Sequence, residues 1–361
     1  MASSKTKTKI PFEPDYALAP GSTLLETIET LGIDQNELAE RTGLTPKTIN
    51  LIIKGNAPLT QQTAMLFERV TSVPARIWNN LECNFREQLA RIASRKQLEK
   101  QLDWLKEIPT QELISRGAIL ATSDRVSLLE QTLKFFGVAS VEAWNEGWSD
   151  GQFAFRKSHQ VSENDGKLAS WLRLAELQGQ QRTVSRFNKE LFGRVAKSMR
   201  DLTIAEPEVF VPKLIDSFAS AGVALCLVPE IPGAKISGAA KWLSPDKALI
   251  AVNLRGKKND LFWFTVFHEV GHILNDSKKE TYIDIGYSDD PQEKKANHFA
   301  RDLLIPPAHS TRLKSLRSRN DVIAFAKQTG IAPGIVVGRM QHEKIIAFSY
   351  LNDLKETFNW K

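Results

Sequence analysis

The pentapeptide His268-Glu269-Val270-Gly271-His272 constrains the fold of this 361-residue chain more than any other feature. Residues four positions apart lie on one face of an α-helix, so both imidazoles can reach a single metal ion. The glutamate beside them then faces the water that completes a catalytic zinc site. In a chain with six histidines the pattern would arise by chance about once in a hundred cases. We therefore predict a helix that carries two metal ligands, His268 and His272, and a catalytic carboxylate, Glu269.

A zinc ion with an open coordination position needs a third protein ligand. Glu293 begins a second predicted helix, and Asn297 follows one turn later. This spacing would let the carboxylate bind the metal while the amide steadies a histidine ring. His298 is the alternative ligand. The sequence thus predicts one Zn²⁺ per chain, bound by His268, His272 and Glu293. The group that would stabilise an oxyanion stays open among Tyr282, Tyr287, His298 and Arg301.

The segment from Gln35 to Gly55 has the spacing of a helix-turn-helix, although an ordinary helical hairpin can share that spacing. Gly43 is expected to form the tight turn, because glycine adopts positive φ without strain. Thr45-Pro46 then begins a second helix, whose first residues would reach base edges in the major groove. The predicted DNA-contacting residues are Gln35, Thr45, Lys47, Thr48, Asn50 and Lys54, of which Gln35 and Lys54 are assigned to phosphates.

The net charge of +6 (Lys+Arg 48, Asp+Glu 42) permits binding to nucleic acid without arguing for it. Two segments outside the helix-turn-helix are strongly basic. Residues 182–200 contain six basic residues and one acid, and residues 309–320 contain four basic residues and no acid. Because a run of charge is usually a solvated face, these segments alone do not predict a partner.

Hydrophobic residues at 42% and charged residues at 25% exclude wholesale disorder. Two cysteines exclude a disulfide scaffold and a cysteine-rich zinc module, and we expect Cys83 and Cys226 to be buried. The first twenty residues have no apolar segment after their lysines, and no apolar run approaches the length of a membrane span. A cytoplasmic protein without a membrane partner is expected.

The hydrophobic periodicity predicts a mainly α fold with a C-terminal α+β domain. Helical patterns continue from Ser22, the expected cap of the first helix, to about residue 206. A buried strand is predicted at 223–228, and a hairpin at 236–243 and 248–253 around the turn Ser-Pro-Asp-Lys. The expected domains are a mobile arm at 1–20, a five-helix helix-turn-helix domain at 21–82, a helical middle region at 83–206 and a metallopeptidase domain at 207–361.

Several features between Pro20 and Glu87 resemble the Cro/repressor-like (XRE-type) domain of HigA-type antitoxins. These are the Pro20-Gly21 start, the turn at Gly43 and the ending Trp78-Asn79-Asn80-Leu81. The sequence departs from that pattern at Leu51 and Ile53, which are apolar where such helices often carry polar side chains. The departure would fit a partner surface, or recognition that depends on fewer base contacts.

The C-terminal part, from about Pro207 to Trp360, resembles the ImmA/IrrE family of zinc metallopeptidases. The resemblance lies in PGAKISGAAKWLS, DLFWFTVFHEVGHIL and EKKANHFARDLLIP. It implies a zincin-like fold with zinc ligands His268, His272 and Glu293 and with Glu269 as catalytic carboxylate. A later segment, FAKQTGIAPGIVVGRMQ, also has helix-turn-helix spacing, but without outward basic residues before Arg339 we predict that it packs and does not contact DNA.

Members of that peptidase family typically cut a helix-turn-helix repressor. The resemblances therefore imply a DNA-binding transcriptional regulator with a zinc-dependent endopeptidase domain, which cleaves a repressor or partner protein to control its own operon or a stress- or phage-related response. The alternative is a HigA-type antitoxin and autorepressor that neutralises a RelE-like toxin, with the zinc domain as sensor or relic. The expected partners are operator DNA, a protein substrate or a toxin, and a second copy of the chain in a homodimer.

Overall fold

The computed structural model describes residues 17–149, 165–253, 258–277, 282–284 and 290–358. The chain divides into two compact units, an N-terminal unit at 1–102 and a C-terminal unit at 103–361. The predicted mobile arm falls mostly outside the described residues, which begin at 17. Within the described part, no helix combines the length and the apolar character needed to cross a membrane.

The N-terminal unit contains the five helices that the sequence predicts: α1 Pro20–Thr30, α2 Gln35–Thr42, α3 Pro46–Ile53, α4 Gln61–Thr71 and α5 Ala75–Glu99. The side chains of Asp34, Thr45 and Thr60 cap α2, α3 and α4 by accepting a hydrogen bond from the backbone N–H three residues later. The expected cap at Ser22 is wrong. Helix α1 already begins at Pro20, because proline fits the first helical position, where no N–H donor is needed.

The core of this unit contains Leu24, Leu38, Ile49, Phe67 and Trp78, all fully buried. Helix α1 approaches α3 so closely that a Cβ at position 21 would lie 2.0 Å from the carbonyl oxygen of Ile53. Only glycine fits there, which explains the Pro-Gly start in physical terms. Cys83, on α5, is exposed, so the prediction that it is buried is wrong, whereas Cys226 is buried as expected.

The described part of the C-terminal unit combines helices with one small sheet. Its helices are α6 Thr110–Ser115, α7 Arg125–Phe136, α8 Val141–Ser149, α9 Asp165–Gln181, α10 Lys189–Met199, α11 Pro207–Ser220, α12 Asn259–Asn275, α13 Pro291–Leu304, α14 Pro307–Ser310, α15 Arg319–Thr329 and α16 Pro333–His342. Its strands are β1 Val223–Val228, β2 Gly238–Ser244, β3 Lys247–Asn253 and β4 Tyr282–Asp284. Short 3₁₀ helices lie at Leu102–Lys106, Arg200–Ile204, Thr311–Ser315 and Asn352–Leu354. The chain is therefore mainly helical, with a C-terminal α+β region.

The sheet has the strand order β1-β3-β2-β4. Strands β2 and β3 form the predicted antiparallel hairpin, and β1 pairs with β3 in parallel, with Val223 opposite Ala248. The three-residue strand β4, which the sequence analysis did not predict, pairs antiparallel with the start of β2. This arrangement puts β2, and with it Gly238, near the centre of the sheet.

Helix α9 packs on this sheet, although the sequence analysis assigned it to a separate middle region. The indole Nε1 of Trp171 donates a hydrogen bond to the carbonyl oxygen of Val228 at 3.2 Å. Gly179 lies so close to β3 that a Cβ there would be 2.7 Å from a methyl carbon of Leu249. The boundary expected at residue 206 consequently lies inside the C-terminal unit.

Residues 355–358, which we call the C-terminal segment, contact the start of α12. The backbone N–H of Asn259 donates to the carbonyl oxygen of Glu356 at 3.0 Å, and the Lys355 ammonium lies 2.6 Å from the buried Asp260 carboxylate. Phe358 is buried against Phe262, with ring centroids 5.7 Å apart. The helix that carries the HExxH motif is therefore fixed by residues almost a hundred positions away in the sequence.

Candidate functional site

Helix α12 is buried on nearly all sides, and this burial includes its polar residues. His268 and His272 are each 1% exposed and Glu269 is fully buried. Apolar residues of the same helix, such as Trp263, Val266 and Val270, are fully buried as well. Because burying ionisable groups is costly unless they are paired or bind a metal, this concentration of them points to a functional site.

Helix α13 brings Glu293 to the two histidines. The Glu293 carboxylate lies 3.2 Å from Nε2 of His268 through one oxygen and 3.3 Å from Nε2 of His272 through the other. The two Nε2 atoms are 3.0 Å apart. Zinc bonds of about 2.0–2.1 Å in a tetrahedral site require donor atoms roughly 3.3 Å apart. The three predicted ligands thus form a donor set that fits one zinc ion.

The other nitrogen of each histidine ring faces an oxygen. Nδ1 of His268 lies 3.0 Å from Oδ1 of Asn297, and Nδ1 of His272 lies 2.7 Å from Oδ2 of Asp276. Since carboxylate and amide oxygens accept hydrogen bonds, each Nδ1 carries a proton, so Nε2 is the nitrogen of each ring that is directed at Glu293 and could bind a metal. Two ring nitrogens and a carboxylate converge on one point, where a metal cation would displace any Nε2 proton that contacts Glu293.

Hydrogen bonds and nearby charges shift the pKa values of His272 and Glu293. Burial of His272 opposes its charged form, but hydrogen bonds to Asp276 and Glu293 and the charge of Glu269 outweigh this cost and raise its pKa to about 10. Burial of Glu293 favours its neutral form, but hydrogen bonds from His268 and His272 outweigh this and lower its pKa to about 2. The carboxylates beside His272 therefore favour a positive charge at this site.

The Glu269 carboxylate lies against the bare backbone of β2. A Cβ at Gly238 would be 2.5 Å from Oε1 of Glu269, so a larger residue at that position would displace the carboxylate. Glu269 has no atom in the three-residue donor set. It directly follows the ligand candidate His268 on α12, and its charge contributes to the raised pKa of His272. A buried carboxylate beside the ligands can serve as a proton acceptor.

The remaining predicted residues separate into different environments. His298 is exposed, and its ring contacts the carbonyl oxygen of Lys294 at 2.7 Å, one turn earlier in α13. Tyr282 is buried and stacks on the ring of His272, with centroids 4.4 Å apart and an interplanar angle of 8°. Arg301 is half-buried, 3.7 Å from Glu343. Tyr287 lies outside the described residues.

Asp276 is the site residue that the sequence analysis missed. It directly follows the last residue of α12, and its carboxylate, 4% exposed, accepts a hydrogen bond from Nδ1 of His272. The signal was available in the sequence: an acid four residues after the second histidine lies on the same helix face. Asn297 occupies the position expected for a residue that steadies a ring.

In the N-terminal unit, α2, the turn at Gly43 and α3 form the predicted helix-turn-helix. Gly43 has φ of 72°. The hydroxyl of Thr45 accepts from the backbone N–H of Thr48 at 3.1 Å, and the two hydroxyls are 2.8 Å apart, so both threonines are partly engaged within α3. Thr45, Lys47, Asn50 and Lys54 are exposed, whereas Thr48 and Gln35 are half-buried.

Exposed residues Lys47, Asn50 and Lys54 follow the i, i+3, i+7 spacing and therefore share one face of α3. The two apolar departures, Leu51 and Ile53, are half-buried, and Ile53 packs against the core of this unit. Ile53 thus has a packing role.

The second helix-turn-helix-like segment, α15 and α16, repeats the local geometry of the first. Gly330 has φ of 69°, and the Thr329 hydroxyl donates to the Phe325 carbonyl oxygen at 2.9 Å, as Thr42 does to Leu38 at 2.7 Å. Helix α16, however, is buried: Val336 and Val337 are fully inaccessible. The prediction that this segment packs is confirmed.

Comparison with known families supports the N-terminal unit. A helix-turn-helix family model matches residues 24–78, from α1 into the start of α5. The chain therefore carries a helix-turn-helix DNA-binding domain, which supports a DNA-binding transcriptional regulator. No curated protein matches the chain.

We expect Glu293→Ala to abolish stoichiometric zinc binding, because it removes one of three converging donors. Asp276→Asn should weaken zinc binding about 10- to 100-fold, since it loosens the ring of His272 without removing a ligand. The exposed Asp302→Asn, also on α13, is the matched control. Competition with a chelator measures all three affinities. Retention of about one zinc per chain by Glu293→Ala would show that Glu293 is not the third ligand.

Proposed function

We propose that the protein is a transcriptional regulator whose C-terminal unit is a zinc-dependent endopeptidase. The observation that carries this proposal is the convergence of His268, His272 and Glu293 within 4.8 Å of one another, with the fully buried Glu269 beside them. A purely structural zinc site is closed by four protein ligands, whereas a catalytic site uses three and keeps one position open. Three protein donors with an acid beside them match the catalytic kind of zinc site.

In this proposal, the Nε2 atoms of His268 and His272 and the carboxylate of Glu293 hold the zinc ion. Zinc, when bound, lowers the pKa of water to about 7 and polarises a scissile carbonyl. Glu269 accepts a proton from the attacking water on a carboxylate oxygen and delivers it to the leaving amine. Asn297 and Asp276 keep the two rings in the required tautomer.

The proposed substrate is a repressor or partner protein, and the proposed outcome of cleavage is a change in the protein's own operon or in a stress- or phage-related response. The proposed second partner is operator DNA, bound by a homodimer through α3. The competing antitoxin function would need the zinc site only as a fold-stabilising or sensing element. The buried, non-ligating carboxylate of Glu269 favours the peptidase, because a structural site gains nothing from it.

We expect Glu269→Gln to retain zinc and folding while cleavage falls 10²- to 10⁴-fold, because the substitution keeps the side-chain size and removes the proton acceptor. New protein N-termini are compared in cells expressing the wild type, Glu269→Gln, and Glu190→Gln, an exposed control on α10. N-termini present with the wild type and the control but absent with Glu269→Gln support the peptidase. Identical sets in all three strains would contradict it and leave the antitoxin function.

For the DNA-binding unit, we expect Lys54→Ala to weaken binding to all duplexes and to reduce the slope of log K against log[salt] by about 0.9, the value for one lost phosphate contact. Lys47→Ala should instead relax sequence preference, if its side chain meets a base. Lys96→Ala, exposed on α5, is the control. Salt-dependent binding to fragments from the protein's own promoter region measures these effects. Unchanged binding in both α3 variants would place the DNA-contacting face elsewhere on the unit.

A further inference from the structure

Two basic segments that lie more than a hundred residues apart meet on the surface of the C-terminal unit. Nη2 of Arg200, which directly follows α10, donates to the carbonyl oxygen of Thr329 at 2.5 Å. Nη1 of Arg312 donates to Oε1 of Gln328 at 2.7 Å. Gln328 and Thr329 are neighbours at the end of α15, so the last turn of α15 lies between the two segments.

Arg200 has a structural role in this junction. Its Nε also donates to the carbonyl oxygen of Leu304 at 3.1 Å, so one guanidinium satisfies carbonyl groups at the ends of both α13 and α15. A cation at a helix C-terminus is favourable because the unpaired carbonyl groups there carry partial negative charge. Arg200 therefore fixes the first segment to the ends of α13 and α15, and Arg312 fixes the second segment to the same end of α15.

We define the basic surface as five exposed cations of the two segments and of α15: Lys197, Arg312, Lys314, Arg317 and Lys327. Lys197 lies three residues before Arg200, on the same side of the helix. Arg319 is excluded because it pairs with Asp353 at 3.1 Å. Within the described part of the chain, Lys314 and Arg317 have no acidic side chain in ion-pair contact.

The acids near this surface offset only part of its charge. The Asp321 carboxylate stays charged, and hydrogen bonds from the backbone N–H groups of Arg317 and Ser318 hold it at the start of α15. Asp201 lies beside Arg200. Helix α15 has 11 residues, so the surface extends about 16 Å along it, the axial rise of four to five nucleotides of duplex DNA at about 3.4 Å each.

The chemistry of the surface restricts its partner. The apolar residues of the second segment, Leu313 and Leu316, are buried, so this segment offers no side chains that insert into a lipid bilayer. Phe325 is buried, and its ring centroid lies 5.6 Å from the guanidinium carbon of Arg312. Its ring therefore cannot stack on the bases of a single strand. Helix α16 is buried and cannot enter a groove. Exposed lysine and arginine side chains of this kind are suited to contact with phosphates.

We propose that the basic surface binds the phosphate backbone of double-stranded DNA without reading its bases, and so adds a second, sequence-independent contact to that of the helix-turn-helix. This inference rests on the function proposed above as a DNA-binding regulator. It also implies that the C-terminal unit contributes to affinity for any duplex, because counterion release does not depend on sequence.

The test uses the full-length protein and a DNA duplex of about 30 base pairs with arbitrary sequence, titrated between about 50 and 200 mM salt. The variant is Lys314→Gln/Arg317→Gln. The matched control, Lys134→Gln/Lys213→Gln, removes the same charge from exposed positions on α7 and α11. We expect the slope of log K against log[salt] to fall by about 1.8 in the variant, about 0.9 per lost contact, and to stay unchanged in the control.

The other outcomes overturn the proposal in distinguishable ways. If the wild type binds the duplex but neither pair of substitutions changes the slope, the basic surface is wrong and the helix-turn-helix contact stands. If both pairs of substitutions lower the slope equally, binding depends on the net charge of the protein and not on the basic surface. If the variant loses binding only to vesicles containing phosphatidylserine, the partner is a membrane. If the wild type binds no duplex, the DNA-binding function itself fails. Near- and far-ultraviolet circular dichroism establishes that both double variants are folded.

Discussion

The close packing of α12 on α13 is the constraint on which the candidate metal site depends. Gly271 lies between the two histidines of α12, and a Cβ there would be 3.0 Å from the Cα of Ala296. Ala296 and Ala300 present equally small side chains from α13. Small residues line both helices where they meet, so the helices approach closely. Glu293, one turn before Ala296, can therefore reach the Nε2 atoms of both histidines.

Burial and charge reinforce this arrangement. His268, Glu269 and His272 are at most 1% exposed, and isolated charges of this kind are costly to bury. The hydrogen bonds from Nδ1 to Asn297 and Asp276 orient both rings so that Nε2 faces Glu293. A bound cation would balance this concentration of donors, so metal binding would also stabilise the fold. The contacts of Asn259 and Asp260 with the C-terminal segment hold the other end of α12.

The parts of the molecule that follow from local chemistry could be predicted from the sequence. Asp34, Thr45 and Thr60 cap helices because their side chains satisfy backbone groups three residues away. The hairpin of β2 and β3 follows from its turn residues. For the site, the helical spacing of the motif identifies two histidines on one face, and the Glu293 and Asn297 spacing selects two more residues that the structure places beside them.

Features that depend on distant packing could not be predicted in the same way. The placement of α9 on the sheet depends on Trp171 and Gly179, whose partners lie about 60 to 70 residues later. The support of α12 by Lys355 and Phe358 is likewise a long-range contact, and no local pattern encodes it. Strand β4 is only three residues long, too short for a clear alternation of polar and apolar side chains.

The central claim is that two imidazoles and one carboxylate of this chain bind zinc, and X-ray absorption at the zinc edge of the purified protein tests it most directly. The account predicts nitrogen and oxygen neighbours at about 2.0–2.2 Å, with the multiple scattering of two imidazole rings and no sulfur neighbour. A shell at about 2.3 Å, characteristic of thiolate sulfur, would assign the metal to Cys83 or Cys226 and contradict the account. A protein that holds no zinc after purification without chelators would also contradict the account.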